Sequence, residues 1–277
     1  MSRHASGLGS LDKKTERELS YKAIDKLDEL NKSNDIIGTY IFTILEQQSM
    51  LILFPFSNID IWGFMTKQGD TCFSCINTSL SLEQQVFVAA HELYHIWYKG
   101  REELITVQES FGNEEVPLPL NEQRANRFAA ELLVARTLLE REIRVLKIDR
   151  SSIGAKEVIR LANSFTVPYR MMVRRLYEID AIPFRDAMKL LSTSPVEIDQ
   201  WRRRLGYPSY EATGRIRMGN LPELAIEAFE RDLINKDRLD YLLGLADLDS
   251  EQVGIPSETK QLHLHLGDVP GKEDGGS

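Results

Sequence analysis

Apolar residues at Leu19, Ala23, Ile24, Leu27 and Leu30 recur at spacings of three and four, which predicts an amphipathic helix over about Leu11 to Leu30. The pattern then changes. Met50 to Phe56, Ile59 to Met65 and Thr71 to Asn77 are short β-prone runs separated by Ser-Asn and Gln-Gly-Asp turn signals, and they predict a small sheet. After Ser79 the helical period returns, with Val86, Phe87, Ala90, Leu93 and Trp97 on one face as far as Gly100. Ser81 with Gln84 three residues on forms a capping box at its start.

Arg101 to Pro119 reads as an acidic loop, and Pro119 introduces a long helix through Leu146 with a break near Arg136. Beyond Asp149 the pattern is almost wholly helical. One helix covers Lys156 to Asn163, a turn follows at Ser164 to Val167, and a second helix runs from Pro168 to Ile179. A last helical pair is expected from Leu221 to Asp249, hinged near Asn235. Strands followed by packed helices define an α+β class, and the expected divisions are 1–10 as a disordered tail, 11–148 as the first domain, 149–205 as a helix-turn-helix-like domain, 206–255 as a helical C-terminal region and 256–277 as a flexible tail.

Composition narrows the function classes. With 277 residues, 42% apolar, the chain can bury a sizeable core, and its net charge of -8 argues against a protein that coats DNA or an anionic membrane with a broad basic surface. No apolar run approaches the roughly 20 residues of a membrane helix, and the opening residues lack an apolar signal region, so a cytoplasmic location is expected. Cys72 and Cys75 have C-x-x-C spacing with no second pair, and on a strand residues three apart face opposite ways. They are expected to be structural thiols in a reducing compartment.

The chemistry lies in His91-Glu92-Leu93-Tyr94-His95. On a helix the two histidines fall one turn apart on one face, so both imidazoles can reach one metal ion, and Glu92 lies beside the water such an ion would activate, placed to act as general base. Chance explains the motif poorly, because the other three histidines, His4, His263 and His265, sit in or near the weakly patterned ends.

Catalytic zinc takes three protein ligands and leaves a position for water. The downstream candidates are Glu102, Glu103, Glu109, Glu114, Glu115, Glu122 and Glu131. The apolar stripe Ala125, Phe128, Ala129, Leu132, Leu133 leaves Glu122 at its edge and Glu131 on the far side among Arg124 and Arg127, which favours Glu122 as ligand and Glu131 as a solvated ion-pair residue. The competing reading of Glu122 is a carboxylate favoured by the helix N-terminus. The metzincin pattern needs Gly and His where this chain has Tyr98 and Arg101.

The stretch from Ile61 to Leu133 resembles the ImmA/IrrE family of bacterial metallopeptidases. The matching pieces are Trp62-Gly63-Phe64, the strand ending Ile76-Asn77, QQVFVAAHELYHIWY, and Glu122-Gln-Arg-Ala-Asn126-Arg-Phe128-Ala-Ala-Glu-Leu-Leu133, like the family's E-x-x-A-N-x-F-A-A-x-L-L block. Gln84 and Gln85 stand where the family usually has Arg, and Tyr94 where it has a small residue. The resemblance implies a small zincin-like fold with Glu122 as third ligand, one Zn2+ per chain (Mn2+ being the other metal the site suits), and a substrate strand laid antiparallel along an edge strand at Cys75, Ile76 and Asn77. Tyr94 is a candidate transition-state polariser or gate, although a residue at its position more often packs.

Members of the family commonly carry a helix-turn-helix after the peptidase domain, and Arg170, Arg174 and Arg175 are candidate nucleic-acid contacts on the second helix of such a unit. The competing reading is a packing unit with a solvated basic face. The resemblance implies a zinc endopeptidase that cuts a helix-turn-helix repressor encoded nearby, in a stress, mobile-element or defence setting. Other readings are a latent or non-catalytic zincin scaffold that binds DNA or a regulator, and a toxin or antiphage component acting on a host protein. The intact Glu92 weighs against the scaffold.

Overall fold

The computed structural model describes residues 11–69, 71–98 and 118–256, and the backbone of 105–108. The tails expected at 1–10 and 256–277 lie outside the described residues, except Pro256, as do Gly100 and most of the acidic loop. Helix α1 spans Lys13–Glu29, with the Asp12 carboxylate accepting from the backbone N–H groups of Lys14 and Thr15 at its start. A short helix α2 (Ile41–Glu46) leads into strands β1 (Met50–Phe54), β2 (Ile61–Gln68) and β3 (Thr71–Asn77). The turn between β2 and β3 needs the left-handed region, and Gly69 supplies it at φ 60°.

The sheet has five strands in the order β4-β2-β3-β1-β5, where β4 is Ile105–Gln108 and β5 is Arg217–Met218. β3 pairs antiparallel with β2 and parallel with β1, so it is a central strand. The acidic stretch therefore contains a strand where a loop was expected. The C-terminal half is likewise not all helical, since β5 closes the β1 edge of the sheet.

Helix α3 (Leu82–Tyr98) packs on β2 and β3, and α4 (Leu120–Leu133) packs on α3 and on α1. The capping box forms: Ser81 N donates to Gln84 Oε1 at 3.1 Å and Gln84 N to Ser81 Oγ at 3.4 Å. α4 gives way at Val134 and Ala135 to α5 (Arg136–Val145), as the sequence predicts.

Helices α6 (Ala155–Phe165) and α7 (Tyr169–Glu178) are joined at Thr166, which adopts the left-handed region at φ 54°. Then come α8 (Phe184–Leu191) and α9 (Pro195–Arg204). The core does not break at the expected boundary after residue 148: one apolar cluster runs from Leu19 to Ile198. A separate small cluster of Ala225, Leu239 and Leu243 joins α10 (Leu221–Glu230) to α11 (Lys236–Gly244), whose N-cap is the expected hinge residue Asn235.

The chain beyond α9 returns to the start of α3. Arg202, 1% exposed, donates to Glu83 Oε1 at 2.9 Å and to the Pro208 carbonyl at 2.6 Å, and its guanidinium lies 3.8 Å from the Tyr210 ring centre. Gln85 Nε2 donates to Thr213 Oγ1 at 2.9 Å. These contacts tie the N-terminal turn of α3 to the segment that ends in β5.

Candidate metal centre

Spacing on α3 places His91 and His95 on one face, and the packing of α4 against α3 brings Glu122 to them. The two Nε2 atoms are 3.1 Å apart, His91 Nε2 is 3.1 Å from Glu122 Oε2, and His95 Nε2 is 3.4 Å from Glu122 Oε1. Donor atoms around a tetrahedral zinc ion, each about 2.0–2.1 Å from it, stand about 3.3 Å from one another. The three side chains are thus arranged as a ligand set, and among the described residues they form the one group of three so placed. Two imidazoles and a carboxylate suit zinc and also accept manganese.

Both histidines are 1% exposed, and Glu92 is wholly buried. Neither Glu92 oxygen has a hydrogen-bond partner among the described residues. A buried carboxylate with no partner is unstable as an anion, and burial, followed by the nearby charge of Glu122, pushes the Glu92 carboxyl well above its usual range. A cation held by the neighbouring ligands would reverse that balance and favour the carboxylate, so the residues present fit a metal. Burial alone would raise the Glu122 carboxyl too, but the neighbouring imidazoles of His91 and His95 prevail and hold it down to about 2.

The ligands are braced from behind. His91 Nδ1 lies 2.7 Å from Asn126 Oδ1, and Phe87 lies one turn before His91, with ring centres 6.3 Å apart. Asn126 had no role assigned from sequence, although its position four residues after Glu122, on the same face of α4, was the signal.

Several other expectations change. Cys75, Ile76 and Asn77 do not lie at a sheet edge: Cys75 pairs with Phe64 on one side and Ile52 on the other. Asn77 is instead a buried knot, accepting from the backbone of Phe56 at 2.9 Å and Ser79 at 2.8 Å, and donating to the Ile61 carbonyl at 2.8 Å. Tyr94 is 2% exposed and packs its ring against Phe128 and Tyr98, so packing accounts for it. Cys72 and Cys75 are buried and in no disulfide, in line with a structural role.

Arg175 is also 1% exposed, with Glu131 at 2.8 Å and the Val134 carbonyl at 2.8 Å, and it cannot reach nucleic acid. Glu131 pairs with arginine as expected but is buried, not solvated. Along α7 Arg170 is exposed and Arg174 partly so, while Tyr169, Met171, Met172, Val173 and Leu176 are buried. Burial therefore removes Arg175 from the three candidate contacts and leaves Arg170 and Arg174 on the outer face of α7.

An H-E-x-x-H helix with a glutamate of the next helix brought to its two histidines is the arrangement of a zincin-like protease site. Residues 45–177 match the IrrE N-terminal-like domain, in line with the resemblance to the ImmA/IrrE family. The match takes in α6 and α7, which the sequence reading had assigned to a separate domain. No curated protein and no solved structure matches the chain.

Proposed function

We propose that the protein is a zinc-dependent endopeptidase whose ion is held by His91, His95 and Glu122. The observation that carries this is the buried, partnerless Glu92 carboxylate next to a ready-made ligand triad. When bound, zinc supplies Lewis acidity to water and to the scissile carbonyl. Glu92 takes the proton from the attacking water and passes it to the departing amide nitrogen, and its dry surroundings strengthen its hold on that proton. Asn126 and Phe87 keep the His91 ring in place.

A substrate strand that adds to the sheet would have β4 as its platform, since β5 pairs with Ile52 and Leu53 of β1 on the other side. The family resemblance supports a regulatory substrate, a helix-turn-helix repressor encoded nearby, and a stress, mobile-element or defence context. Among the described residues no helix is long and apolar enough to cross a membrane. A cytoplasmic location belongs to the same reading, supported by two cysteines that form no disulfide.

The test incubates the zinc-loaded protein and its Glu92→Gln variant with the neighbouring repressor-like protein and follows intact masses. One defined cut that the variant does not make is the expected result. An intact substrate with both proteins, each holding one zinc, would overturn the endopeptidase reading for that substrate.

A further inference from the structure

We infer that Asn126 is a positioning residue for the metal centre: its side-chain oxygen fixes the tautomer and orientation of His91, so that the bare Nε2 faces the other two ligand atoms. The inference rests on the metal-centre reading above and extends it to a residue outside the ligand set.

A neutral imidazole carries one proton, on Nδ1 or on Nε2, and only the unprotonated nitrogen can bind a metal. His91 Nε2 is 3.1 Å from His95 Nε2 and 3.1 Å from Glu122 Oε2, so it is the nitrogen turned towards the ligand cluster. For Nε2 to bind a metal the proton must reside on Nδ1, where Asn126 Oδ1 stands 2.7 Å away. A side-chain amide oxygen only accepts, so of the two neutral tautomers this contact stabilises the one with its proton on Nδ1. The ring is 1% exposed, and water cannot readily stand in for the lost acceptor.

The geometry follows from helix periodicity. Glu122 and Asn126 are four residues apart on α4, so one face of that helix delivers a ligand to the front of the site and an acceptor to the back of His91. A shift of α4 along α3 would move both together, which couples ligand placement to tautomer control. Partners of this kind raise ligand basicity, and their removal typically lowers metal affinity about 10–100-fold.

Asn126→Leu removes the acceptor at similar volume, and Asn126→Asp keeps an oxygen there. For the full chain, zinc dissociation constants come from competition with a chromophoric chelator, melting temperatures from the zinc-free protein, and His91 ring 15N shifts from zinc-free, histidine-labelled protein. The expected results are about 10–100-fold weaker zinc binding in Asn126→Leu with a folded zinc-free state, near-normal binding in Asn126→Asp, and ring shifts showing Nδ1–H in the parent but not in Asn126→Leu. Equal zinc affinity in parent and Asn126→Leu, or equal loss in both variants, would overturn the inference. If the parent binds no zinc, the metal-centre reading fails, and the ring shifts still decide the role of Asn126: an Nε2–H tautomer in the parent refutes it.

Discussion

Cys75 shows how a residue's chemistry is set by where the fold puts it. The C-x-x-C spacing invites a redox or metal reading, yet Cys75 is 7% exposed on a strand paired on both sides. Burial, followed by the charge of Glu92, pushes its thiol up to about 12. The thiolate is the reactive form, so alkylation of folded protein at pH 8 is expected to be very slow, with two adducts appearing by mass only after denaturation. Rapid labelling of the native chain would contradict this. The sign for stability also follows. An unfolded thiol ionises from about pH 8.5, while the folded one keeps its proton, so Cys75 makes the protein less stable as pH rises from about 8.5 towards 12. Among the metal-site residues, His91, Glu92, His95 and Glu122 were legible in sequence because helical spacing dictates which side chains share a face. Arg175 is misread from sequence because charge suggests exposure, and only tertiary packing reveals that it is buried against Glu131 and Val134.

At the scale of elements, local signals carried far. Capping at Ser81, the break after Leu133 and the Asn235 cap all rest on contacts within a few residues, which a sequence displays directly. Strand order is different, because β3 lies between β2 and β1, and β5 joins the sheet from a distant part of the chain. No periodicity encodes such pairings, and the edge expected at Cys75 to Asn77 failed on that account. Gly63 marks a close approach of β2 to α3. A Cβ there would lie 2.6 Å from Val88 Cγ1 and 2.9 Å from the Cys75 carbonyl oxygen, and the latter is backbone that cannot swing aside. Gly63→Ala is therefore expected to lose about 1–3 kcal/mol in denaturant unfolding. An unchanged midpoint would show that the metal helix does not depend on this contact.

For the molecule as a whole, the continuous core from Leu19 to Ile198 means that the metal site and the helices behind it fold together. The family match ends at residue 177, but α8 and α9 add Leu190 and Ile198 to the same core. Arg175 sits at the junction, bonded to Glu131 and Val134 of the α4 end and to Glu178 on its own helix. Replacing it by Met leaves the buried Glu131 with Arg127 as its remaining arginine partner and removes the bonds to the Val134 carbonyl, which typically costs about 1–3 kcal/mol. Unfolding of Arg175→Met is expected at markedly lower denaturant, whereas wild-type stability would restore a surface role for this residue. The central claim is the metal centre itself, and zinc stoichiometry tests it most directly. After stripping and reloading with zinc, elemental analysis should find one zinc per chain in the parent and in Glu92→Gln, and almost none in His91→Ala or His95→Ala. Full zinc content in either histidine variant would contradict the assignment of His91, His95 and Glu122 as its ligands.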